Sequence, residues 1–196
     1  MRSAQERLLF ALNSIRCIPH ILIFFIHKNK RVIIADVKHG LFEMGKDYKG
    51  LYGLIYLLSF CKQFRTLFYY RTRPYSAFLG FICRPLPNLL ILTRDIGPGL
   101  AIVHGFATGI GAKSIGKNCK IYQLVSIGGN KYGAPVIKDN VTIYPGAILF
   151  GKIIIGNNVV IGANATVYKD VPDNSTVLPG SSKIMRWTVS IRPATC

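Results

Sequence analysis

Aliphatic residues recur at every sixth position in the second half of the chain. The series is Ile137, Ile143, Leu149, Ile155, Ile161 and Val167, and a small or apolar residue follows four positions after each of them. A helix repeats every 3.6 residues and a strand every two, so a period of six fits neither a helix nor a long strand. The pattern predicts short strands joined by turns, stacked into a β-solenoid from about residue 96 to residue 178.

The same spacing is present upstream at Ile115, Ile121 and Ile127, and it then breaks. Ten positions separate Ile127 from Ile137, and residues 128–135 are rich in Gly and Pro. Such a segment is a poor strand, so it predicts a loop that leaves the solenoid. Solenoid loops often carry binding function, so this loop is either the wall of a site or a surface insertion without a role.

Residues 1–95 have a different pattern, in which apolar and aromatic runs alternate with basic clusters. They predict three to five short helices. The runs at 18–26 and 51–60 are about half the ~20 residues that a membrane-spanning helix needs. Basic residues flank both runs, so two interpretations stay open: an ordinary helical core with a solvated rim, or an interfacial surface resting on anionic headgroups.

Charge and cysteine content narrow the possible partners. The net charge of +17 is divided into +10 for residues 1–95 and +7 for residues 96–196. No nucleic-acid recognition motif accompanies this charge, so we expect a small polyanion or a membrane surface as the partner rather than nucleic acid.

Five scattered cysteines argue against a disulfide framework, and the N-terminus lacks a signal-peptide layout. A cytoplasmic location, with possible contact at the inner face of the membrane, is expected.

Several motifs in the solenoid resemble those of a known family. They are Ile-Gly-Pro-Gly-Leu-Ala-Ile-Val-His (96–104), His-Gly-Phe-Ala-Thr-Gly-Ile (104–110), Ser-Ile-Gly-Lys-Asn-Cys (114–119), Val-Ser-Ile-Gly-Gly (125–129) and Val-Tyr-Lys-Asp-Val-Pro-Asp-Asn-Ser (167–175). The chain resembles the hexapeptide-repeat acyltransferases, in the serine acetyltransferase-like branch that includes acetyltransferases of surface-polysaccharide loci. The resemblance implies an α+β fold, with a helical N-terminal domain (1–95) followed by a left-handed parallel β-helix and C-terminal tail (96–196). It also implies a homotrimer that uses acetyl-CoA and needs no metal.

Acetyl transfer to a hydroxyl requires a base, and imidazole titrates closest to neutral pH. His104 is the one histidine of four that lies in the solenoid, and it stands where the resembling enzymes place their catalytic histidine. We expect Gly105 to leave room beside it for a substrate. Asp95, nine positions upstream, is the candidate carboxylate partner, although a capping role at the first coil is equally open.

The resemblance also implies coenzyme A contacts along a groove between subunits. The matching small residues are Gly128, Gly129, Gly146, Ala147, Gly162 and Ala163, and Lys183 is a candidate phosphate contact. Backbone N–H groups near Gly128 are candidates for stabilising the oxyanion. Cys119 falls on the inward series, so we expect it to be buried and not to form an acyl-cysteine.

Two residues depart from serine acetyltransferases and bear on the acceptor. These enzymes place a second histidine before the proline of the loop, where this chain has Ala134 before Pro135. They also place an acid before the catalytic histidine, where this chain has Val103. The sequence therefore predicts a sugar of a surface polysaccharide as acceptor, with L-serine as the alternative. A non-catalytic scaffold at the membrane is the competing class.

Overall fold

A computed structural model describes residues 4–76 and 78–180. Its first part is a bundle of short helices, in agreement with the predicted three to five. Within the described residues they are α1 (Ala4–Arg16), α2 (Ile18–Ile26), α3 (Lys30–Glu43), α4 (Gly50–Phe60) and α5 (Lys62–Arg71), followed by a 3₁₀ turn at Leu79–Phe81.

The bundle has its own apolar core. Phe24, Ile33, Leu57 and Phe68 are buried in it, one from each of α2 to α5. This core supplies the burial that short helices need, because isolated helices of this length are marginal in water. None of the helices in the described part of the chain is long and apolar enough to cross a membrane.

Over residues 78–180, the second part is a parallel β-helix of fourteen short strands. They are β1 (Leu89–Ile91), β2 (Asp95–Ile96), β3 (Ala101–Ile102), β4 (Thr108–Ile110), β5 (Ser114–Ile115), β6 (Lys120–Ile121), β7 (Ser126–Gly128), β8 (Val136–Ile137), β9 (Thr142–Ile143), β10 (Ile148–Phe150), β11 (Ile154–Ile155), β12 (Val160–Ile161), β13 (Thr166–Val167) and β14 (Thr176–Val177).

The strands form three sheets, which are the three faces of the β-helix. The first face has the order β1-β4-β7-β10-β13, the second β11-β8-β5-β2, and the third β14-β12-β9-β6-β3. The chain visits the faces in rotation, so each coil stacks on the one before it.

The six-residue series forms the interior of the β-helix, as predicted. Ile143, Leu149, Ile155 and Ile161 are all 0% exposed. In the register, Ile143 lies between Ile121 and Ile161 on neighbouring coils, so the aliphatic side chains stack along the axis.

The β-helix begins at Leu89, not at residue 96 as the spacing suggested. Leu89 and Ile91 are buried in the same core as the later coils, and β1 pairs with β4 on the first face. The sequence missed this strand because its buried positions are two residues apart, which is the period of an ordinary strand.

Asparagines in the left-handed region turn the corner between the second and third faces. The set is Asn118, Asn140, Asn158 and Asn174, with φ from 53° to 58°. Their side chains bond from coil to coil, with Asn140 Nδ2 donating to Asn158 Oδ1 (2.9 Å) and Asn158 Nδ2 donating to Asn174 Oδ1 (2.8 Å). Asparagine suits these positions because it tolerates positive φ and its side chain bonds the next coil.

Candidate active site

His104 lies at the corner where the chain passes from β3 on the third face to β4 on the first face. Its side chain is exposed and its φ is +62°. A left-handed conformation is uncommon for a histidine, and such strain often marks a functional position. In the described part of the chain the imidazole has no hydrogen-bond or ion-pair partner.

A cavity of about 390 Å³ opens beside His104, between the first coil and the helical domain. Leu57, Phe64 and Leu67 of α4 and α5 form its apolar wall, and Gln63 lies among them. The helical domain therefore builds one side of the site, and β3 with its following corner builds the other.

Gly105 does not leave room for a substrate, contrary to expectation. It is buried with φ +65°, and a Cβ at this position would lie 2.8 Å from Ile102 Cγ2 and 3.2 Å from Gln63 Cβ. The space is filled because α5 packs directly against this corner. Glycine is needed here for close packing and for a positive φ, while the open space lies beside His104 itself.

The carboxylates that line this cavity come from α3. Glu43 Oε2 accepts a bond from Lys120 Nζ at 2.7 Å, and its Oε1 lies 3.5 Å from His39 Nε2. His39 Nδ1 is also 2.6 Å from the Gly99 carbonyl. Partial burial alone would lower the pKa of Lys120. The hydrogen bond to Glu43 and its negative charge outweigh burial, so the pKa of Lys120 lies above its ordinary value. This chain of contacts fastens the end of α3 to the first two coils.

The second carboxylate, Asp36, is 1% exposed and forms a joint between the domains. It accepts bonds from Arg71 Nε at 2.8 Å and from the backbone N–H groups of Gly99 (2.8 Å) and Leu100 (2.9 Å). Arg71 also donates to the carbonyl oxygens of Ile96 (2.6 Å) and Gly97 (2.7 Å). The segment that leads into β3, and hence to His104, is held by this pair.

The structure does not bring Asp95 to His104. Asp95 is exposed on β2 of the second face, and it lines a different cavity with Arg73 and Arg94. The chain turns a corner between β2 and β3, so the two side chains belong to different sides of the first coil. Asp36 and Glu43 are the acids that share the cavity of His104.

The candidate coenzyme contacts lie at two different corners. Gly146 and Ala147, and one coil later Gly162 and Ala163, share the corner of His104 between the third and first faces. Gly128 ends β7 and Gly129 follows it, so both lie at the corner between the first and second faces. Within one chain, the N–H groups near Gly128 are therefore not beside His104.

Some of these small residues have a packing role. Ala147 is 0% exposed, so its side chain belongs to the core and only its backbone can meet a ligand. A Cβ on Gly162 would lie 2.9 Å from the Val177 carbonyl oxygen, and one on Gly146 would contact the Asn164 side chain. Ala163 is exposed. Lys183 lies outside the described residues.

The predicted loop after β7 is present as a small turn. Asn130 and Gly133 exchange two backbone hydrogen bonds of 2.9 and 3.1 Å, and Tyr132 at its tip is 70% exposed. Ala134 lies on this loop, away from the corner that carries His104. Cys119 is 1% exposed and burial raises the pKa of its thiol to about 11, which agrees with the prediction of an inert cysteine.

Comparison with known proteins identifies the β-helix. The model of the bacterial transferase hexapeptide (six repeats) matches residues 134–169.

The β-helix therefore contains bacterial transferase hexapeptide repeats, and it is similar to the corresponding part of serine acetyltransferases.

A serine acetyltransferase of Synechococcus elongatus is 41% identical over 92 residues, which cover 43% of this chain and 38% of that protein. One from Staphylococcus aureus is 47% identical over 92 residues, covering 43% of each chain. The matches thus span about two fifths of the length of these curated relatives.

Solved structures extend the similarity across both domains. A Neisseria gonorrhoeae serine acetyltransferase in complex with serine superposes with a TM-score of 0.65 at 21% identity, covering 93% of this chain and 85% of that one. Entamoeba histolytica serine acetyltransferase 1, in complex with L-cysteine, gives 0.56 at 26% identity, covering 86% and 67%. The predicted fold class, a helical domain followed by a hexapeptide β-helix, is confirmed.

Proposed function

We propose that this hexapeptide-repeat protein is an acetyl-CoA-dependent O-acetyltransferase with His104 as the general base. The observation that carries the proposal is the place of His104, exposed at a strained corner and opening into the cavity between the two domains. The relatives that share its β-helix are named serine acetyltransferases, which supports the donor and the reaction class.

The reaction follows from these groups. An imidazole nitrogen of His104 takes the proton of the acceptor hydroxyl, and the oxygen attacks the thioester carbonyl carbon. The tetrahedral intermediate then expels the coenzyme A thiolate, which receives the proton from the imidazolium, so the histidine returns to its starting state. The Glu43–Lys120 and Asp36–Arg71 contacts position the two walls of the cavity and need not exchange protons.

L-Serine is the acceptor that the relatives favour, and it takes precedence over the sugar predicted from Val103 and Ala134. A hydroxyl of a surface-polysaccharide sugar stays as the second candidate for one reason. No lysine or arginine is among the described residues that line the His104 cavity, so this cavity offers no fixed cation for the serine carboxylate.

The candidate coenzyme contacts lie at two corners that are apart within one chain, and a trimer would bring these two corners together. If the β-helices pack side by side, the Gly128 corner of one protomer can face the His104 corner of another. Exposed aromatic side chains on the β-helix support an interface, since such residues are enriched where subunits meet: Tyr144 (37%), Phe150 (49%) and Tyr168 (67%).

Thiol release from acetyl-CoA, measured with L-serine and with a panel of sugars, tests the proposal. A kcat/KM for L-serine of about 10⁴ M⁻¹s⁻¹ or more would establish serine as the acceptor. Transfer to sugars alone would support the second candidate. Native protein that binds coenzyme A but transfers to neither class would refute the enzyme and favour the scaffold.

A further inference from the structure

A second and larger cavity, of about 860 Å³, lies in the helical domain. Its walls come from α2, α3 and the start of α4, and its apolar lining includes Phe24, Phe25, Ile34, Val37, Leu41 and Phe42. Helix α3 separates it from the His104 cavity, because Val37 and Leu41 line this one while Gly40 and Glu43 line the other.

The mouth of this cavity leaves large apolar side chains in contact with solvent. Phe42 is 77% exposed and Phe25 is 54% exposed. Leu22 and Ile26, also on α2, are 61% and 76% exposed. Contiguous apolar surface of this kind usually marks a binding site or a membrane contact. Helix α2 has nine residues, so it can rest in a membrane interface but cannot span the bilayer.

Lysines surround the apolar cavity. Lys30, Lys38, Lys46 and Lys49 line it, and Asp47 is the one acid among the described lining residues. Lys30 Nζ lies 5.4 and 4.7 Å from the ring centroids of Phe24 and Phe25, so an ammonium group stands directly over the apolar floor. Among the described residues, none of the four lysines forms an ion pair with a carboxylate.

We propose that this lysine-rimmed cavity binds an anionic membrane lipid and so docks the helical domain on an anionic bilayer. The acyl chain enters the space between Phe25 and Phe42, and the headgroup phosphate meets the ammonium groups of the rim. The apolar floor suits the acyl chain of such a lipid, and the lysines around it suit the anionic headgroup. This site shares no lining residue with the His104 cavity, so the proposal does not rest on acetyl transfer.

A tryptophan probe tests the apolar part of the site. Phe42→Trp and, as a control at an exposed position of the β-helix, Ile154→Trp are each made in a chain carrying Trp187→Phe. Both proteins are mixed with vesicles of phosphatidylcholine and phosphatidylglycerol that contain brominated chains. We expect a blue shift and quenching for the probe at position 42 and neither for the probe at position 154. Emission at position 42 that is already blue-shifted without vesicles, and is not quenched by them, would show that another protein chain covers this face and would overturn the proposal.

Charge variants test the rim and separate it from the general attraction of a basic protein. Each lysine near an anionic surface contributes enough binding energy that Lys30→Gln/Lys46→Gln should lower the vesicle partition coefficient about 30-fold. The control Lys113→Gln/Lys117→Gln removes the same charge from the β-helix, and we expect a loss below about threefold. Two results would contradict a specific anionic-lipid site. One is an equal fall in the partition coefficient for the two double variants, and the other is native binding to neutral phosphatidylcholine vesicles that is as strong as binding to the anionic vesicles.

Discussion

Asp36→Asn should weaken the joint that holds the helical domain on the first coil. Asp36 is 1% exposed and accepts bonds from Arg71 and from the N–H groups of Gly99 and Leu100. Asparagine keeps the shape and one acceptor oxygen, but it leaves the Arg71 guanidinium buried without a counter-charge. Removing one member of a buried ion pair costs about 3–5 kcal/mol, and we expect about 3 kcal/mol because Arg71 keeps its bonds to Ile96 and Gly97.

For a chain of this size, about 3 kcal/mol corresponds to a fall in Tm of roughly 6–12 °C. Thermal unfolding followed by circular dichroism at 222 nm measures it, with Asp95→Asn as the matched control. Asp95 is exposed and makes no ion pair among the described residues, so its variant should stay within about 1 °C of the native protein.

A double variant tests the role of the backbone bonds. Asp36→Leu/Arg71→Met removes both charges, yet it leaves the N–H groups of Gly99 and Leu100 buried without an acceptor, at about 1–3 kcal/mol each. We therefore expect it to stay less stable than the native protein. A change in Tm below about 2 °C for Asp36→Asn, or full recovery in the double variant, would refute the joint.

Other predictions concern stability and the site corner. Burial lowers the pKa of His20 to about 4, and an unfolded histidine titrates near ~6.5, so the unfolded state binds the proton first as the pH falls. Urea unfolding should show about 3 kcal/mol lost between pH 6.5 and pH 4, and His20→Gln should remove most of that slope. Asn158→Ala and Asn158→Gly lose the same side-chain bonds to neighbouring coils, but only alanine places a Cβ at the positive φ of this corner, so the glycine variant should be about 1 kcal/mol more stable than the alanine variant by the same urea assay.

The sequence revealed the β-helix because its contacts repeat. Each coil buries the same positions as its neighbours, so Ile143 and Ile161 show the period directly. The joint has no such repeat. Asp36 and Gly99 are 63 positions apart, and nothing in the local pattern around either residue indicates that they meet. Glu43 and Lys120, 77 positions apart, were missed for the same reason.

The site was predicted unevenly for related physical reasons. His104 was predicted because it is the one histidine of four in the solenoid and stands where the resembling enzymes place their catalytic histidine, and the structure places it at a cavity. Asp95 was chosen by its nearness in sequence, but one corner of a solenoid is enough to carry a side chain to another face. The role of Gly105 depended on the packing of α5, which sequence spacing does not report.

The most direct test is acetyl transfer by His104→Asn compared with the native protein. Asparagine removes the base but tolerates the φ of +62° at this position, which makes it a cleaner variant than alanine. We predict a loss of about 10²- to 10⁴-fold in turnover, with folding and coenzyme A affinity nearly unchanged. Turnover above about a third of the native value, with the acceptor that the native protein uses, would contradict His104 as the general base.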